Sequence, residues 1–77
     1  MFTMEQNVYN ERLDGWLRQR LEGHFAVIKE SEVLGTEPSF DSAMRMGIRK
    51  TRSREFFVQR IQPVGTIEWM SHIAANE

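Results

Sequence analysis

GHFAVIKESEVLGTEPSFDSAMRM, residues 23–46, changes its hydrophobic period halfway along. Phe25-Ala26-Val27-Ile28 is a short apolar run, followed by the charged turn Lys29-Glu30-Ser31-Glu32 and a return to Val33-Leu34-Gly35. From there Phe40, Ala43, Met44, Gly47 and Ile48 recur at i, i+3, i+4, i+7 and i+8. A period near two that becomes a period near 3.6 predicts a β-hairpin feeding an amphipathic helix. The first strand is expected over 24–29 and the second over 32–36. Glu37-Pro38 ends the second strand, and Ser39 is placed to cap a helix running from 40 to 51 or 52. Asp41 in its first turn and Arg49, Lys50 and Arg52 in its last complement the helix dipole.

On the N-terminal side, Tyr9, Leu13, Trp16, Leu17 and Leu21 share one helical face and predict a first helix over 4–22. Gly15 inside it costs about 1 kcal/mol relative to alanine, so packing must hold the helix. Gly23 is the expected left-handed residue after its end. On the C-terminal side, Glu55-Phe56-Phe57-Val58-Gln59-Arg60-Ile61 predicts a third strand over 55–61. Residues 66–70 are a candidate fourth strand, and 71–77 are expected to form a loose tail or a short helical turn. The order α-β-β-α-β(-β) is an α+β fold with a small antiparallel sheet. The third strand is expected beside the apolar first strand, with helix 2 on one face and helix 1 docked on the domain.

Four framework segments can be set side by side. Leu21 to Ile28 and Glu32-Val33-Leu34-Gly35-Thr36 are two; Ser39-Phe40-Asp41-Ser42-Ala43 and Arg54 to Ile61 complete the pattern. Together they resemble a group of small bacterial proteins of unsettled activity that share glycines at turns, strand hydrophobics and a helix cap. The resemblance covers roughly residues 13–63 and implies an α-ββ-α-β fold with no catalytic residues. Two departures stand out. Ser42 replaces the usual Glu of the group, which implies a capping box without its reciprocal half. Ser53-Arg54-Glu55 replaces a Gly or Pro, which implies a more basic loop.

Seventy-seven residues without cysteine make a single domain over 1–77 that cannot use disulfides or thiolate metal sites. No apolar run reaches the ~18 residues a membrane span needs, and Met1-Phe2-Thr3-Met4 leads into polar residues, so a cytoplasmic location is expected. The net charge of −1 divides unevenly. Residues 1–44 carry four bases against eight acids, and residues 45–77 carry six bases against three acids.

The basic group Arg45, Arg49, Lys50, Arg52 and Arg54 is the leading anion-binding candidate. Arg45, Arg49 and Arg52 fall at i, i+4 and i+7, and guanidinium rows suit phosphates. The same spacing also describes an ordinary solvated helix face, and a pI near 6.1 runs against a nucleic-acid domain. Phe56 and Phe57 must point to opposite sheet faces, so Phe57 with Trp69 is the candidate partner patch. Met46 lies off the helix 2 stripe and reads either as a contact residue or as partial packing. His24 and His72 lack companions for a metal site, and no catalytic or cofactor motif is present. The expected function is therefore a non-enzymatic protein-interaction module that self-associates. Contact would run through sheet edges, exposed aromatics, or acidic helix 1 meeting basic helix 2 of another subunit. The size and class also fit an inhibitor or accessory subunit of a larger complex, such as a phage-borne anti-defence protein. Nucleic-acid binding through helix 2 is the alternative.

Overall fold

Phe25-Ala26-Val27-Ile28 is apolar throughout because both of its faces are covered. A computed structural model describes residues 2–53 and 55–63, and the backbone alone of 72–73. The elements are α1 (Thr3–Arg18), β1 (Phe25–Lys29), β2 (Glu32–Glu37), α2 (Phe40–Thr51), β3 (Phe57–Arg60) and β4 (His72–Ile73). The sheet order is β2-β1-β3-β4, and every neighbouring pair is antiparallel. The third strand thus lies beside the first, antiparallel to it, as its apolarity predicts. Within the stretch expected to be a loose tail, His72–Ile73 pair with Phe57 and Val58. The candidate strand over 66–70 lies outside the described residues.

Alternation along the two inner strands sorts the core into two layers. Ala26, Ile28, Phe57 and Ile61 meet Tyr9, Leu13 and Trp16 of α1. Val27, Phe56 and Val58 meet Ala43 and Met46 of α2. The helices therefore cover opposite faces of one sheet. Phe56, Ile28, Ile61, Val27 and Val58 are fully buried, and such side chains contribute about 1.5–3 kcal/mol each. Tyr9 clips α1 to the end of β3: its hydroxyl donates to the carbonyl of Arg60 at 2.7 Å and accepts the N–H of Gln62 at 3.3 Å.

The first helix ends earlier than its apolar spacing suggests. Arg20 takes the left-handed conformation (φ 63°). Its N–H donates to the carbonyl of Leu17 at 3.0 Å, and the Leu21 N–H donates to that of Trp16 at 3.0 Å. This paired closure is a Schellman motif, and Leu21 packs on the α1 core cluster as the apolar residue that follows such a cap. Leu21 was in phase with the helix but belongs to its stop signal. Gly23 (φ 92°) does not end the helix; its N–H donates to the carbonyl of Ile61 at 2.8 Å, and the Ile61 N–H returns to the carbonyl of His24 at 2.8 Å. His24 and Ile61, expected within strands, extend the β1–β3 pairing just past its assigned ends.

The buried face of α2 is rotated from the expected stripe. Ala43, Met46 and Gly47 face the sheet, whereas Phe40 and Ile48 are 44% and 40% exposed and Met44 is half-buried. Close approach decides this phase. Small Ala43 and Gly47 let the helix backbone lie against the sheet, and a Cβ at Gly47 would sit 2.5 Å from Cζ of Phe56. Met46, at 4% exposure, fills the space over Gly35, so it is neither a surface contact nor partial packing. The cap of α2 also departs from expectation. Ser39 Oγ accepts the Ser42 N–H at 3.1 Å, and Ser42 Oγ accepts the Ser39 N–H at 3.4 Å. A second serine hydroxyl is long enough to reach back, so the capping box is complete without a Glu.

Candidate functional site

Helix α2 carries two rows of side chains beside its sheet-facing stripe. One row is Phe40, Met44 and Ile48; the other, one residue further round, is Asp41, Arg45 and Arg49. Both follow i, i+4 and i+8, so each runs along the helix as a continuous ridge. The apolar ridge begins in an aromatic corner. Phe40 meets Phe25 edge to face at 5.9 Å between centroids, and the Arg60 guanidinium lies 5.5 Å from the Phe25 centroid. Phe25 and Arg60 are cross-strand partners, so the sheet register sets that cation–π contact.

The basic candidates do not converge. Arg45 Nη2 is 2.7 Å from Asp41 Oδ2, and both side chains are largely exposed. Such an i, i+4 pair contributes about 0.3–0.5 kcal/mol. Lys50 turns to the sheet, where Nζ donates to the carbonyl of Leu34 at 3.1 Å. Arg52 follows the helix in a left-handed conformation (φ 59°), which takes it off the i, i+7 position that the spacing assigned. Its N–H closes the helix on the carbonyl of Ile48 at 2.8 Å. Arg49 remains exposed on the outer face, and Arg54 lies outside the described residues. The three-arginine face is thus a two-arginine ridge headed by an aspartate.

Phe57 is not a surface residue. It is 5% exposed, beneath the start of α1, with its ring centroid 5.7 Å from that of Phe2. Both strand faces are covered, so the Phe56-Phe57 pair leaves neither ring free. Trp69 lies outside the described residues, and with Phe57 buried the expected two-residue patch is not formed.

The sheet edge at β2 is irregular. Val27 pairs with Gly35 and Ile28 with Val33, which leaves Leu34 as the extra residue of a bulge. Gly35 at φ 155° accommodates it, and Lys50 takes the Leu34 carbonyl. A bulge, a lysine and terminal Glu32 and Glu37 are the devices that keep an edge strand from pairing with another chain. Helix α1 and helix α2 lie on opposite sheet faces.

One polar residue escaped the sequence reading. Glu5 is buried, and its Oε2 accepts the Glu30 N–H at 2.7 Å. Its position four residues before Tyr9 puts it in register with the α1 stripe, a signal that attention to apolar residues alone passes over. Among the described residues no helix is long and apolar enough to cross a membrane, and no group of three or more His, Asp or Glu side chains is placed to hold a metal. Compared with protein-family models, with curated proteins and with solved structures, the chain matches none.

Proposed function

We propose that this chain is a non-enzymatic protein-interaction module that self-associates through the apolar flank of α2. The supporting observation is the apolar ridge Phe40–Met44–Ile48, exposed at Phe40 and Ile48 and half-buried at Met44, on a helix that already satisfies the sheet with Ala43, Met46 and Gly47. A helix needs one apolar stripe to dock on its own domain; a second is a contact surface for another body. The guarded β2 edge and the burial of Phe57 lead away from the other two contact modes, and the dispersal of the arginines leads away from a nucleic-acid face. Multi-angle light scattering tests the reading. A mass near twice 9.1 kDa at micromolar to millimolar concentration is the expected result. A strict monomer throughout that range overturns it.

A further inference from the structure

The two ridges of α2 have a symmetry that selects both the occupant and its direction. Residues 40, 44 and 48 are symmetric about Met44, so an antiparallel copy of the same helix sets Met44 on Met44 and Phe40 on Ile48. At 1.5 Å rise per residue, Asp41 of the second copy comes level with position 47. It then lies between Arg45 and Arg49, about 3 Å along the axis from each. Both copies present this charged row on the same flank, so the match is made twice. A parallel copy would instead put the two charged rows on opposite flanks, where neither meets its match, and would align the two helix dipoles. Contact of α1 with α2 of another copy is head-to-tail, because the two helices lie on opposite sheet faces, and it leaves each molecule a free face unless a ring closes.

We infer that the partner of the ridge is α2 of a second copy, packed antiparallel about a two-fold axis at Met44. This rests on the self-association reading above and adds its surface, register and direction. The contact is isologous, with an apolar centre and an ion-paired flank. The Asp41–Arg45 pair at 2.7 Å already points the aspartate along the row that the second copy meets.

The absence of cysteine makes the geometry directly testable. In single-cysteine chains under mild oxidation, Met44→Cys should form the disulfide dimer at least 10-fold faster than Arg49→Cys. Two copies of position 49 are separated by about 15 Å along the axis, beyond the ~7 Å Cα separation a disulfide tolerates. An equimolar mixture of Phe40→Cys and Ile48→Cys chains, both altered at exposed positions, should give mainly the mixed disulfide. Equal crosslinking at 44 and 49, or homodimers exceeding mixed dimers from the second pair, overturns the antiparallel register. Absence of crosslinks at all four positions, with the unsubstituted chain still dimeric by light scattering, moves the contact elsewhere and leaves self-association standing. A monomeric unsubstituted chain removes both.

Discussion

The buried carboxylate of Glu5 accepts the backbone N–H of Glu30 at 2.7 Å, tying the first turn of α1 to the tip of the β1–β2 hairpin. Glu30 holds the left-handed conformation (φ 57°) in the two-residue loop, which turns its N–H toward the helix. A charge-assisted bond of this kind contributes about 1.5–3 kcal/mol, and an unmatched donor left in its place costs about 1–3 kcal/mol. Glu5→Leu should therefore lose about 2 kcal/mol in urea unfolding. Glu5→Gln, which keeps an acceptor oxygen, should lose less than about 1 kcal/mol. Equal losses for the two would show that only the charge matters at this position.

Gly47 lets α2 approach closely over the Phe56 ring. Alanine is the better helix former by about 1 kcal/mol, yet its Cβ would lie 2.5 Å from Cζ and 2.7 Å from Cδ1 of a fully buried ring. Overpacking of this kind costs about 1–3 kcal/mol. Gly47→Ala should be destabilising on balance, and Phe56→Leu in the same chain should relieve part of that loss. The informative quantity is the coupling energy of the double-mutant cycle, and a value near zero would contradict this packing.

Gly15 and Arg20 are each the less suitable residue for their backbone. Gly15 is inside α1 with open space where a Cβ would go, whereas Arg20 holds φ 63° at the helix stop. Gly15→Ala should add up to about 1 kcal/mol through helix propensity. Arg20→Gly should add a similar amount by removing the left-handed penalty. Thermal unfolding of the single and double variants should show two increments that add, with the Schellman closure intact.

The order of elements and the β1–β3 pairing are legible in the chain because they follow from period and apolarity. Phe25 to Ile28 can only be a strand covered on both sides, and β3 goes beside it for the same reason. The phase of α2 is not legible in that way. Counting apolar residues favours Phe40 and Ile48, while the actual core face depends on the Phe56 ring, just ahead of β3, that only small side chains can accommodate. The end of α1 misleads similarly, since Leu21 has the right spacing for the helix but closes it. The candidate site inherits both effects. Arg45 and Arg49 are exposed as their spacing suggests, but Lys50 and Arg52 are diverted by a strand bulge and a left-handed cap. Neither device leaves a mark in hydrophobic periodicity.

Met46 and Ile48 stand two residues apart on α2, and their substitution should have opposite consequences. Met46 is 4% exposed over Gly35, so Met46→Ala should cost about 2–5 kcal/mol in unfolding free energy and leave a loosened helix. Ile48 projects outward, so Ile48→Glu should change monomer stability by no more than about 0.5 kcal/mol. If the ridge pairs copies of the chain, Ile48→Glu should raise the dimer dissociation constant at least 10-fold, because a carboxylate would then meet the Phe40 ring of the second copy. The same change in a chain whose ridge stays in water would leave the sedimentation profile unaltered. Unfolding and sedimentation of the two variants thus separate the face that builds the domain from the face that joins two of them.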